Sequence, residues 1–138
     1  MLLTIEKVLI LKSVNIFSQI PNEMLVEVAA IVTEIEVKAD ENIFKKGDIG
    51  KSMYIIVEGE VKIHDDEKII ATLKSRSVFG ELAALDTEPR SASATAVGDT
   101  ILFKLDQDSL YELMGEYVEV ARGIIQVLCQ RLRGNIKK

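Results

Sequence analysis

The stretch Val78-Phe79-Gly80-Glu81-Leu82-Ala83-Ala84-Leu85-Asp86-Thr87-Glu88-Pro89-Arg90-Ser91-Ala92-Ser93-Ala94-Thr95-Ala96 interrupts a run of short strand patterns and decides how the rest of the chain is read. Gly80 permits a close backbone turn, and Leu82 to Leu85 can form one helical turn whose first N–H groups point outward unpaired. Such a turn attracts an anion. Arg90, fixed after Pro89 at the start of the next strand, offers a planar, permanently charged fork suited to two phosphate oxygens. Glu81 flanks the same turn. A carboxylate only accepts hydrogen bonds, so beside a phosphate it makes sense chiefly when it faces hydroxyl donors such as those of a ribose. Phosphate and sugar together imply a nucleotide. Alone, an Arg after a Pro or a Glu after a Gly is an ordinary surface residue, and it is their combination at this spacing that points to a site.

On the N-terminal side, Ile5, Val8, Leu9 and Lys12 run at helical spacing, and Leu25, Val28, Ala29 and Val32 do so again after Pro21. From Glu34 the period switches to two, with Ile35 and Val37 against Glu34, Glu36 and Lys38. Further strands are expected at 42–45, 53–57, 61–64, 69–73, 91–97 and 101–105, between turns containing Asp, Gly and Ser, which suggests a barrel or double-sheet β fold. Asp65-Asp66-Glu67-Lys68 reads as a solvated hairpin tip, and Ala92, Ala94 and Ala96 as core on one strand face. Asp106 has the character of a helix N-cap ahead of the stripe Leu110, Leu113, Met114 and Tyr117. A last helix carries Ala121, Ile124, Ile125, Leu128 and Leu132, with Arg131, Arg133, Lys137 and Lys138 at the end that the helix dipole makes favourable for cations.

The bulk properties exclude several functions. A chain of 138 residues has the length of one domain, and no repeat or linker divides it. No apolar run spans a bilayer, and Val8 to Leu11 is too short for a signal-peptide core, so a cytoplasmic location, or the cytoplasmic side of a larger membrane protein, is expected, with no direct membrane contact by this segment. One cysteine, Cys129, and one histidine, His64, supply neither a disulfide nor a metal-ligand set. Cys129 reads as a buried helix residue and His64 as solvated. A net charge of −5 argues against a nucleic-acid partner. No Ser–His, Cys–His or metal constellation suggests an enzyme.

The stretch 78–96 resembles the phosphate-binding cassette of cyclic-nucleotide-binding domains: Phe-Gly-Glu-Leu-Ala, a short spacer, then Pro-Arg-Ser and a small residue. The resemblance extends over nearly the whole chain through Asn15-Ile16-Phe17, Lys46-Gly47-Asp48, Tyr54-Ile55-Ile56 and Glu58-Gly59-Glu60-Val61. It implies a mainly β fold with flanking helices, an eight-stranded, jelly-roll-like β-roll (double-stranded β-helix). A single domain over residues 1–138 is expected, with N-terminal helices over 1–33, the roll over 34–105, and hinge and lid helices over 106–133. The ligand it implies is cAMP or cGMP, with no other cofactor. Glu81 would meet the ribose 2′-hydroxyl and Arg90 the cyclic phosphate. Ser91 would touch phosphate or base, with backbone help from Gly80, Leu82, Ala83 and Ala92. For Ser91 a locally satisfied strand hydroxyl is an equal reading. Val127, Leu128 and Arg131 are the lid residues expected to close over the base. The sequence departs from the family in the turn Lys74-Ser75-Arg76-Ser77, where Gly-Asp is frequent, at Thr87, where Gly is common, and at Ser93, where Thr is usual.

The function implied is a sensor that binds a cyclic nucleotide and signals through its C-terminal helices to an attached effector domain or a partner protein, in a piece of a larger bacterial protein. A homodimer is compatible with this. One rival is a ligand-free relative acting as a docking or dimerisation module. Another is the sensor half of a truncated transcription factor, since the five residues 134–138 after Arg133 are too few for a helix-turn-helix.

Overall fold

A computed structural model describes residues 2–134. The chain forms two units: a β unit, Val32–Gln107, and a helical unit built from the residues up to Ile31 and from Asp108 onward. In the β unit the strands are β1 (Thr33–Val37), β2 (Asn42–Phe44), β3 (Ile49–Gly50), β4 (Ser52–Glu58), β5 (Val61–Asp65), β6 (Lys68–Leu73), β7 (Val78–Phe79), β8 (Glu88–Pro89), β9 (Ser93–Ala96) and β10 (Thr100–Asp106). They pair antiparallel in three ladders, ordered β1-β10-β4-β7, β2-β9-β5-β6 and β3-β8. All seven strands read from alternation are present. The other three are two-residue pairings, too short for a period of two to show, so the described residues hold ten strands rather than the eight that the resemblance implied.

The core of this unit draws on both four-stranded sheets. Val37, Tyr54, Ile56, Phe79 and Leu102 from one meet Val61, Ala94 and Ala96 from the other, with Phe44, Ile63 and Leu73 partly buried beside them. The small Ala94 and Ala96 sit where the large Tyr54 and Phe79 need room, which is how a close-packed interior is filled. Ala92 is buried too, as alternation along the strand requires. The hairpin tip is as expected: Asp65 pairs with Lys68 across Asp66 and Glu67, and Asp66 takes the positive φ of 50° that aspartate tolerates. His64 differs from its solvated reading. It is half-buried, with Nδ1 2.7 Å from the Asp66 carbonyl and Nε2 2.7 Å from the Thr95 hydroxyl, because pairing with Ser93 on β9 brings it beside that polar face.

The helical unit contains α1 (Thr4–Lys12), one 3-10 turn (Asn15–Phe17), α2 (Asn22–Ile31), α3 (Gln107–Glu116, whose first residue is the last of the β unit) and α4 (Val118–Leu132). Pro21 starts α2, its carbonyl accepting the N–H groups of Met24 and Leu25. Leu25, Val28 and Ala29 are buried as their spacing predicts. Two faces differ from expectation. In α1 the buried residues are Ile10 and Leu11, while Ile5 and Leu9 are 69% and 64% exposed. In α4 the inner face is Val120, Gly123, Ile124 and Val127, while Ile125 and Leu132 are exposed. Both helices carry two apolar stripes, so spacing alone cannot select the one that packs. In α4 the choice is set by Gly123, where a Cβ would stand 3.0 Å from the Gln19 carbonyl oxygen. Cys129 is half-buried rather than buried. Lys137 and Lys138 lie outside the described residues.

Candidate ligand-binding site

Gly80 adopts φ 67°, the left-handed region, and caps a 3-10 turn over Glu81–Ala84. The tightness of that turn uses one donor expected to be free: the Ala83 N–H donates to the Gly80 carbonyl at 3.2 Å. Leu85 and Asp86 close the turn by donating to the Leu82 carbonyl. Ala83 is buried, Leu82 exposed and Glu81 half-buried.

Arg90 is the centre of the site. Its backbone is clamped from both sides by one loop, the Arg90 N–H donating to the Asp48 carbonyl at 2.7 Å and the Gly47 N–H to the Arg90 carbonyl at 2.8 Å. Its side chain is 9% exposed, donates through Nη2 to the Ser52 carbonyl at 2.7 Å, and lies with Cζ 4.2 Å from the centroid of the Phe44 ring. Two glycines make this possible. A Cβ on Gly50 would stand 2.7 Å from Arg90 Nε, and one on Gly80 would stand 2.5 Å from Nη1. Among the described residues no carboxylate lies within salt-bridge distance of the guanidinium. Burial pulls the Arg90 pKa below its ordinary value, opposed by Tyr54 and then by the charges of Glu88 and Asp48. Burial pushes the Tyr54 hydroxyl up from 10.0, opposed by Arg90 and reinforced by Asp106. A buried cation of this kind favours an anion, and the guanidinium has five N–H donors, of which Ser52 engages one group.

A cavity of about 140 Å³ opens beside it, with Phe44, Ile63, Gly80, Glu88, Pro89, Arg90, Ser91 and Ala92 in its wall, so that it holds one carboxylate and the guanidinium. Gly80, Arg90, Ser91 and Ala92 are therefore brought together, while Glu81, Leu82 and Ala83 sit on the adjoining turn and outside the wall. A second cavity of about 250 Å³ is walled by Glu36, Lys38, Glu58 and Asp99, a net negative set that disfavours a phosphate. The expected lid residues lie on α4: Val127 is fully buried within the helical unit, Leu128 is half-buried, and Arg131 donates through Nε and Nη2 to Asn15 Oδ1 at 3.2 and 2.7 Å. Phe44, Gly50, Ser52 and Gln107 were not singled out from the sequence. Of these, only the Gly50 glycine between two strand patterns carried a signal, that of close backbone approach.

No helix of the described residues is long and apolar enough to cross a membrane, and among them no group of His, Cys, Asp and Glu could hold a metal ion. A family model described as "Cyclic nucleotide-binding domain" matches residues 34–117. The chain is 31% identical over 134 residues to the cyclic nucleotide-gated channel beta-1 of Homo sapiens, covering 93% of this chain and 11% of that protein. It is 26% identical over 129 residues to a CRP-like cAMP-activated global transcriptional regulator of Mycobacterium tuberculosis, covering 90% of this chain and 58% of the regulator. The chain thus spans only part of these relatives. Among solved structures, the N-terminal domain of a transcriptional regulator from Streptomyces coelicolor superposes with a TM-score of 0.84 at 26% identity, covering 91% of each chain. A cyclic nucleotide-binding domain from Methylobacillus flagellatus superposes at 0.74 and 26% identity, covering 96% of this chain and 79% of that one.

Proposed function

The chain belongs to the cyclic nucleotide-binding domain family, whose members are regulatory rather than catalytic modules, and we propose that it binds cAMP in the cavity beside Arg90 and reports occupancy to an attached effector or partner. The observation that carries this reading is the burial of Arg90 against Phe44, Gly50 and Gly80 with no carboxylate partner among the described residues. A cyclic phosphate supplies the missing charge, and its ribose brings the hydroxyl donor that Glu81 can accept. The cavity is smaller than the roughly 300–1,000 Å³ usual for whole small-molecule sites, which suits a phosphate and sugar with the base reaching beyond it. In this reading the two four-stranded sheets form a β-roll within a single domain, and Val127, Leu128 and Arg131 of α4 act on the base after leaving their present contacts. The Ser91 hydroxyl could meet phosphate or base and is compatible with either cAMP or cGMP. The channel and regulator similarities support an attached partner domain, and in this reading the setting is cytoplasmic. The exposed row Val118, Ile125 and Leu132 suits a homodimer.

One observation favours the rival, a docking module that takes no ligand: Arg90 has internal partners in the Ser52 carbonyl and the Phe44 ring. A thermal melt separates the two. With cAMP at about a hundred times its dissociation constant the bound state gains about 2.7 kcal/mol, a rise of about 6–12 °C for a domain of this size. An unchanged melt with cAMP, cGMP and a cyclic dinucleotide supports the docking module.

A further inference from the structure

Gln107 closes the β unit and opens α3, the helix that leads into the helical unit. Its backbone N–H donates to the Lys51 carbonyl at 2.8 Å, fixing where the helix starts. Its side chain turns toward the cassette, with Nε2 donating to the Ala83 carbonyl at 3.2 Å and Oε1 accepting the Thr87 hydroxyl at 3.1 Å. The neighbouring residues make a parallel link: Arg90 donates to the Ser52 carbonyl, and the Ser52 hydroxyl donates to Asp106 Oδ1 at 2.6 Å. The first residue of α3 and the strand end before it are therefore tied to the short turn, to the spacer and to the anion-facing arginine.

We infer that Gln107 is the positioning residue through which the phosphate-binding turn sets the start of α3, an inference that rests on the nucleotide-binding reading above. The residue type follows from the geometry. A carbonyl only accepts, so the position facing Ala83 must be a donor, while the other end must take the proton of Thr87. A primary amide supplies both from one rigid plane. Glutamate has the same shape and sets oxygen against the Ala83 carbonyl, and alanine removes both bonds. Thr87, which departs from the glycine common in the family, supplies the hydroxyl, so the departure belongs to the same tie. When an anion draws the turn toward Arg90, Ala83 and Thr87 move with it, and Gln107 passes that displacement to the helix it begins.

Hydrogen exchange on the wild type, Gln107→Ala, Gln107→Glu and Thr87→Ser tests this in two arms. Without ligand, both Gln107 variants raise exchange of amides 82–87 by about three- to tenfold, the loss expected for one or two neutral hydrogen bonds, while residues 101–105 stay at the wild-type rate. Thr87→Ser keeps the hydroxyl and behaves as wild type. No rise in 82–87, or an equal rise in 101–105 that marks general destabilisation, overturns the tie whether or not the protein binds a nucleotide. With saturating cAMP, the wild type slows in 80–92 and in 108–132, whereas Gln107→Ala slows in 80–92 alone. A response in 108–132 that survives in Gln107→Ala overturns the transmission. A wild type that responds to neither cAMP nor cGMP overturns the nucleotide reading and the transmission together, while the first arm still judges the tie.

Discussion

Adding a single methyl group at Gly50 should weaken the site without substituting any residue of the cassette. The Gly50 backbone is not in the left-handed region, so Gly50→Ala introduces no conformational strain and its effect is purely one of space. The new Cβ would meet Arg90 Nε at 2.7 Å and Cζ at 2.8 Å, against the 3.4 Å at which ordinary contact begins, so the guanidinium must retreat by about 0.7 Å. It cannot do so and keep both the 2.7 Å bond to the Ser52 carbonyl and the 4.2 Å seat on Phe44. A hydrogen bond to a charged group contributes about 1.5–3 kcal/mol, so affinity for cAMP should fall by about 10- to 150-fold, with a matching loss of stability. Calorimetric titration and thermal melts on Gly50→Ala measure both. Gly98→Ala is the control, since nothing lies within 4 Å of a Cβ there. Wild-type affinity and melting temperature in Gly50→Ala would refute the claim that this glycine seats the arginine.

Three further outcomes are expected. Glu81 should give cAMP at least about tenfold preference over 2′-deoxy-cAMP, because the deoxy sugar lacks the hydroxyl that would donate to its carboxylate, and equal affinities in competition would remove it from the site. Burial raises the Tyr54 pKa, so the folded state holds that proton after the unfolded chain has lost it. Stability due to Tyr54 is then complete below pH 10 and is lost as pH climbs through the folded value. Tyr54→Phe should lose less stability than wild type as pH rises above 10 in urea titrations, and parallel losses would contradict this. Arg76 is exposed with φ 75°, in the turn where the family often has glycine, so Arg76→Gly should gain about 0.5–1 kcal/mol and raise the melting temperature by about 1–4 °C. An unchanged or lower melt would show that the turn is unstrained.

The parts legible in the sequence were those written locally. Alternation located Ala92, Ala94 and Ala96, the pair Asp66 and Glu67 marked its hairpin, and Gly80 with Arg90 marked the cassette. What surrounds Arg90 was not legible, because Phe44, Gly50 and Ser52 are brought to it by pairings between strands far apart in the chain. The strands Ile49–Gly50 and Glu88–Pro89 that form one of these pairings are two residues long and leave no period to read. In α1 and α4 the inner face depended on what packs against each helix, and both faces are apolar enough to qualify. His64 differs from its sequence reading for the same reason: a strand-end position looks solvated until Thr95 of a neighbouring strand is placed beside it.

The central claim is that Arg90 holds the anion of a cyclic nucleotide. Calorimetric titration of cAMP into the wild type and into Arg90→Ala, with circular dichroism confirming that both are folded, tests it most directly. The account predicts saturable binding by the wild type and a loss of at least about 30-fold in the variant, the effect of stranding a buried charge at about 2–5 kcal/mol. Equal affinities in the two proteins, or a folded wild type that binds no cyclic nucleotide, would contradict it.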